Sequence, residues 1–248
     1  MTVTADAIPH TPGAWVELVA ATAMDYSGLT LRLAGAVAVN GTDTSILATL
    51  GLGAPGAEQP WISGICLGHS GETRPIPIPV RVPAGVRISA RIQAVVASDT
   101  ADLALTLHHG GGWHHQGGWT VTTYGANLMT SGGVPLAPPG GAHTPGAWTE
   151  IVAATSGPMW CMVPLIAGPP GDTSWAANHL GLIDIGVGAV GAEQVLVPNI
   201  GYQAFNNEAL LHHPQPVGVH VPAGSRLVAR NQAGQTLEAP SVIILGVE

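Results

Sequence analysis

The sequence predicts an all-β protein made of two tandem, jelly-roll-like β-sandwich domains that are related by internal duplication. Three observations lead to this prediction: a set of sequence blocks that occurs twice, short runs of alternating residues, and abundant turn residues. Gly occurs 34 times and Pro 21 times in 248 residues, while 46% of the chain is apolar. This composition is typical of many short strands joined by tight turns, and it is too apolar for a disordered chain.

Three blocks recur in the same order along the chain. The first begins with His-Thr-Pro-Gly-Ala-Trp, the second is a Gly-rich turn that ends in Ala-Glu-Gln, and the third is Val-Pro-Ala-Gly followed by two arginines. Because the order is kept and the spacing changes by only a few residues, the blocks indicate duplication with loop insertions. The recurrent residues that we single out are Trp15, Glu58, Arg87 and Arg91 in the first copy, and Trp148, Glu193, Arg226 and Arg230 in the second.

The duplication also predicts the domain boundaries. The first domain is expected at 1–122, with a His- and Gly-rich extension at about 108–122, and the second at 123–248, with a Gly- and Pro-rich leader at about 124–142. Each copy contains roughly seven short runs with the period of a strand and no convincing helix, which is the pattern of a β-sandwich or jelly roll. The run at 160–166 is apolar on both faces and predicts a more deeply buried strand.

Charge and hydropathy exclude several classes of partner. Charged residues make up 9% of the chain, the formal net charge is −8, and all seven basic residues are arginines. Because phosphate binding needs clustered positive charge, we expect no nucleic-acid partner. No run of about 18 apolar residues occurs, so we expect no membrane insertion. So few charges on an apolar chain predict a surface that is covered by partners, which favours a homo-oligomer or a larger assembly.

The second copy contains, in order, Tyr124-Gly-Ala-Asn, a Gly- and Pro-rich segment, Thr144-Pro-Gly-Ala-Trp148, a Gly-Ala-Glu-Gln turn and Pro-Ala-Gly-x-Arg-x-x-Ala-Arg-x-Gln. This order resembles a family of tailed-phage virion proteins known as tail, fibre or minor capsid proteins. The resemblance spans nearly the whole chain, although the first copy lacks the Tyr-Gly leader. It implies a structural component of a bacteriophage particle that is located in the virion after assembly in the host cytoplasm. Its implied partners are other virion proteins, and the resemblance implies no catalytic residue.

The segment between the copies is rich in His, Gly and Trp. Its histidines could bind Zn²⁺ or Ni²⁺ through their ring nitrogens. No carboxylate or Cys lies beside them and glycines flank them, so we predict no metal site and instead a flexible or interface loop. Aromatic residues in such a loop could also stack on sugar rings, so the alternative function is a carbohydrate- or receptor-binding module whose partner is a host-surface glycan. The candidate contact residues are Trp113, His114, His115, Trp119 and Tyr124.

Nothing in the sequence favours catalysis. Each recurrent Glu lacks a second acid in register, whereas glycosidase chemistry needs two facing carboxyl groups. No nucleophile elbow, phosphate loop or dinucleotide fingerprint occurs. Cys66 and Cys161 show no metal-ligand spacing and are expected to be buried free thiols. We therefore predict a protein that is not an enzyme and has no cofactor. The recurrent charges are expected to form ion pairs within each copy, Glu58 with Arg87 or Arg91, and Glu193 with Arg226 or Arg230.

Overall fold

The computed structural model describes residues 1–37, 46–67, 74–110, 120–167, 179–205, 208–211, 214–234 and 240–248. These residues form strands and no helix, as the all-β prediction requires, and thus contain no helix that could span a membrane. The strands of the first copy are β1 (Thr2–Thr4), β2 (Val16–Val19), β3 (Gly28–Val37), β4 (Ile46–Leu52), β5 (Gln59–Cys66), β6 (Arg74–Ile78), β7 (Ile88–Ala94) and β8 (Thr100–His108). Those of the second copy are β9 (Val121–Tyr124), β10 (Val134–Pro135), β11 (Thr149–Val152), β12 (Met159–Ala167), β13 (His179–Val187), β14 (Gln194–Phe205), β15 (Glu208–Leu211), β16 (Val217–Val221), β17 (Leu227–Ala233) and β18 (Ser241–Val247).

The strands form four antiparallel sheets, two in each copy. Sheet I has the order β1-β8-β3-β6 and sheet II the order β2-β7-β4-β5. Sheet III has the order β10-β18-β12-β16, with β9 also paired to β18, and sheet IV has the order β11-β17-β13-β14-β15. When β9 and β15 are set aside, the remaining strands of the second copy follow the same order as those of the first. Paired antiparallel sheets of this kind are the arrangement of β-sandwich domains.

Sheets I and II enclose the core of the first copy. In β3, Leu29, Leu31 and Leu33 point into this core, whereas the intervening Arg32 is exposed. The alternation follows from the pleat of a strand, which turns successive side chains to opposite faces. Inward-facing residues of sheet II, such as Leu50 of β4, complete the same cluster.

Sheet III is buried on both faces and joins the two copies. Cys161, Val163 and Leu165 of β12 belong to the core cluster of the first copy, whereas Met162 and Ile166 belong to that of the second. Strand β5 of sheet II contacts β9, β12 and β18 of the second copy. The layers therefore follow one another as sheets I, II, III and IV, and the predicted burial of the apolar run is found at 161–166.

Close backbone approach and side-chain hydrogen bonds fasten the two copies together. The hydroxyl of Thr123 donates to the carbonyl of Ser63, and the Gln93 amide donates to the Leu128 carbonyl at 2.8 Å. Gly64 in β5 has a φ of 70°, and a Cβ there would lie 2.6 Å from the Cβ of Ala126. A larger residue at Gly64 would therefore both strain the backbone and push the copies apart.

Candidate functional site

Arg87 closes the turn between β4 and β5 in the first copy. Its Nε donates to Glu17 Oε2 at 2.7 Å, and its Nη1 donates to Glu58 Oε1 at 2.9 Å and to the Gly53 carbonyl at 3.1 Å. The arginine thus links β2, the β4–β5 turn and β7 through charge-assisted hydrogen bonds. Of the two partners that the sequence allowed for Glu58, the structure places Arg87, not Arg91, against it.

The second copy repeats this arrangement. Arg226 Nε donates to Glu150 Oε2 at 2.7 Å, and its Nη1 donates to Glu193 Oε1 and to the Gly188 carbonyl, both at 3.1 Å. The backbone amide of Gly191 also donates to Glu193 Oε2 at 2.9 Å. The two Arg–Glu pairs therefore recur because each copy stabilises the same Gly-rich turn with the same contacts.

The environment of the two turn carboxylates keeps them ionised. The backbone amide of Glu58 itself lowers the pKa of its carboxyl group most strongly, and Arg87 lowers it further. In Glu193 the pKa is lowered by its own amide and then by Arg226. A general acid at neutral pH needs a raised pKa instead, so neither carboxylate suits that task.

A tryptophan covers a glycine beside each turn, and an arginine stacks on the tryptophan. Atoms of the Trp15 ring lie 2.7 Å from where a Cβ of Gly51 would be, and the Arg91 guanidinium carbon lies 4.4 Å from a Trp15 ring centroid. In the second copy, Trp148 covers Gly186 in the same way. A residue with a side chain at either glycine would displace the indole ring.

The two stacked arginines differ in their partners. Arg230 lies 4.5 Å from a Trp148 ring centroid and donates to Asp184 Oδ2 from Nε at 2.9 Å and from Nη2 at 2.8 Å. Thr49 takes the place of Asp184 beside Arg91, as the strand registers show. In the described part of the chain, the buried Nε of Arg91 has no hydrogen-bond partner.

The carboxylates of Glu17 and Glu150 also bind Arg87 and Arg226, respectively, a role that the sequence did not predict. The sequence could have indicated both residues, because each lies two residues after a recurrent Trp. Asp184 has no acidic counterpart in the first copy, so no repeat pattern could have identified it.

The predicted contact residues Trp113, His114, His115 and Trp119 lie outside the described residues. Tyr124 is described, and its ring is buried in the core of the second copy. The Tyr124 hydroxyl donates to Glu248 Oε1 at 2.5 Å and accepts from the backbone amide of Ser156 at 3.1 Å. Burial, together with the hydrogen bond to Glu248, raises the pKa of Tyr124. Tyr124 therefore belongs to the interior, where it cannot serve as the exposed contact that the sequence suggested.

One aromatic pair is exposed that the sequence did not single out. The side chain of Trp160 is 42% exposed, and its ring centroid lies 4.7 Å from that of His220 on β16. The pairing of β12 with β16 shifts register between Met159 and Cys161. This irregularity explains why Trp160 departs from the burial of its strand, since a bulge changes the direction of a side chain.

The titratable groups form no metal centre among the residues that the structure covers. There, no cluster of three or more His, Cys, Asp or Glu side chains could hold an ion. Cys66 and Cys161 are both buried and neither forms a disulfide, as the sequence predicted, and burial raises the pKa of Cys161 to about 11. A thiol of such high pKa is a poor nucleophile at neutral pH.

Comparison with known proteins assigns no family. No family model and no curated protein matches the chain. The chain is similar to two solved structures of PNGF-II, in the P21 and C2 space groups, at 9% sequence identity and TM-scores of 0.39 and 0.38. The alignments cover 99% and 100% of this chain and 65% of each PNGF-II chain.

Proposed function

We propose that this chain is a structural component of a bacteriophage particle that assembles through protein–protein contacts and performs no catalysis. One observation carries the proposal: the charged residues that recur in both copies are used to hold strands and turns together. Arg87 and Arg226 each bind two carboxylates and a backbone carbonyl of their own copy. The recurrent charges therefore stabilise the fold in both copies, which supports a structural role.

Two further features support this role. Sheet III contributes residues to the cores of both copies, so the described sheets form one continuous stack. The order of motifs in the second copy resembles that of tailed-phage virion proteins, which points to a particle as the assembly.

The test of this proposal is the composition of the purified particle. Peptides of this chain should remain with intact particles through a density gradient, and cryo-electron microscopy should show density for a four-layered β body at a repeated position. A soluble, particle-free protein in the infected cell, with no peptides in the purified particles, would overturn the proposal.

A second candidate function is glycan binding, and the exposed Trp160–His220 pair favours it. An exposed aromatic ring offers the flat apolar face on which a sugar ring stacks. If the pair binds sugar, a glycan array should show a ligand whose binding is lost in Trp160→Ala and retained in Met129→Ser. Met129 suits the control because it is also apolar and exposed and lies in the leader. Equal binding by both variants, or no binding by the native protein, would exclude this function for Trp160.

A further inference from the structure

The outer face of sheet IV carries exposed apolar side chains. Leu180 and Leu182 of β13 are 73% and 36% exposed, and they share one face because they are two positions apart. Val195 of β14 is 45% exposed and lies opposite Gly186, further along the same face. Single exposed apolar residues are common, whereas several on one sheet face mark an interaction surface.

The corresponding face of the first copy is covered by protein. Alignment of the two Gly-Ala-Glu-Gln blocks places Leu182 at the position of Leu47, which is 1% exposed. Leu47 is paired with Gln93, whose side-chain amide donates to the Leu128 carbonyl and to Ser131 Oγ of the second copy. The same face of the repeat is therefore a protein contact in the first copy, whereas in the second copy the described residues leave Leu180, Leu182 and Val195 exposed on it.

The occupant of this face follows from the surfaces that the described residues offer. In the first copy the outer face of sheet II is covered by sheet III of the second copy. Neither of these two faces is therefore available to a partner. The remaining outer sheet, sheet I, presents a polar face on which Thr4, Arg32 and Thr106 are exposed. Packing leucines on that face would desolvate polar groups without replacing their hydrogen bonds, so head-to-tail stacking is unfavourable.

We infer that the outer face of sheet IV packs against the same face of a second copy of this chain, forming a two-fold symmetric dimer. A two-fold axis brings one surface onto itself, so leucines meet leucines. Asp184 and Arg230 on this face neutralise each other at 2.8 Å, so the face does not repel its own copy despite the net charge of −8. This inference rests on the proposed function and names the surface through which the scaffold assembles.

Sedimentation equilibrium of the full chain tests the inference. The native protein should dimerise at micromolar concentration. The double variant Leu180→Ser/Leu182→Ser should raise the dimer dissociation constant about a hundredfold or more. Each substituted side chain lies on both sides of a two-fold interface, so its apolar contacts are lost from both subunits. Its melting temperature at low protein concentration should fall by only a few degrees, since Leu180 is largely exposed and Leu182 partly so. Met129→Ser is the matched control and should dimerise normally.

Cross-linking gives a second readout that does not depend on stability. The chain has two cysteines and both are buried, so a cysteine introduced at the face is the accessible thiol. Leu180→Cys and Leu182→Cys, treated with a bifunctional maleimide, should yield covalent dimers, and Met129→Cys should not.

Three outcomes overturn the inference: a native protein that is monomeric at all concentrations, a Leu180→Ser/Leu182→Ser variant that dimerises normally, or failure of both cysteine variants to cross-link. The proposed function fails separately, through the absence of the chain from purified particles. A dimer that uses another surface would contradict the inference and leave the proposed function standing.

Discussion

One position of the repeat is buried in the first copy and exposed in the second, which allows a matched test of how the copies pack. Leu47 and Leu182 occupy equivalent places in β4 and β13, yet Leu47 is 1% and Leu182 is 36% exposed. The difference arises because the second copy covers Leu47 on sheet II, whereas the described residues leave Leu182 partly exposed on the outer face of sheet IV. Leu47→Ala and Leu182→Ala should therefore have different effects on the free energy of unfolding.

The expected magnitudes follow from burial. Removing the end of a buried leucine loses about 2.4 kcal/mol of transfer free energy, at about 0.8 kcal/mol per carbon group, and leaves a cavity. Leu47→Ala should therefore cost about 3 kcal/mol, within the range of about 2–5 kcal/mol for buried Leu→Ala changes. Leu182→Ala should cost about 1 kcal/mol or less, because its side chain is already partly hydrated. For a chain of this size, a difference of about 2 kcal/mol corresponds to about 4–8 °C in melting temperature.

Differential scanning calorimetry and denaturant unfolding should be performed at low protein concentration, so that dimerisation does not add to stability. Leu50→Ala and Ile185→Ala provide the control, since these residues are fully buried on the inner faces of sheets II and IV. The control pair should lose similar free energies of unfolding. If Leu47→Ala and Leu182→Ala also lose equal amounts, the second copy does not cover sheet II in solution and the reasoning is wrong.

Three further predictions concern single polar groups and the contact between the copies. Thr49→Asp should stabilise the protein by about 1 kcal/mol, because it gives Arg91 the carboxylate that Asp184 gives Arg230; no change in thermal unfolding would contradict this. Burial raises the pKa of the Asp99 carboxyl group. The protonated carboxyl group therefore contributes to stability below the pKa that Asp99 has in the unfolded chain, and this contribution is lost as pH rises through the raised pKa. Asp99→Asn should accordingly gain stability relative to the native protein as pH rises from about 4 to 7, and parallel pH profiles would refute this. Gly64→Ala should lower the melting temperature clearly, since the new Cβ would meet Ala126 across the copies; an unchanged melting temperature would show a looser contact.

The fold class could be predicted from the sequence because its signals are local. Alternating leucines such as those of β3, turn residues between short runs, and a repeated block order each follow from a few neighbouring residues. The recurrence of Glu58 and Arg87 likewise indicated an ion pair, although two arginines of the copy were equally eligible. The choice between them depends on the register of β7 against β4, which involves residues far apart in the chain.

The burial of particular aromatic and apolar residues could not be predicted, because it depends on how sheets stack. Tyr124 looked like an exposed contact beside a Gly-rich segment, yet pairing of β9 with β18 carries it into a core. Trp160 belongs to an apolar run and is nevertheless exposed at a register shift.

The sequence by itself therefore determined the β architecture, the recurrence of its motifs and the pairing of Glu58 and Glu193 with an arginine of their own copy. Tertiary structure decided which of two equivalent faces is covered. Leu47 and Leu182 stand in similar local sequence, so no local rule separates them. Their environments differ because sheets II and III pack against each other at the junction of the two copies, whereas no further sheet packs on the outer face of sheet IV among the residues that the structure describes.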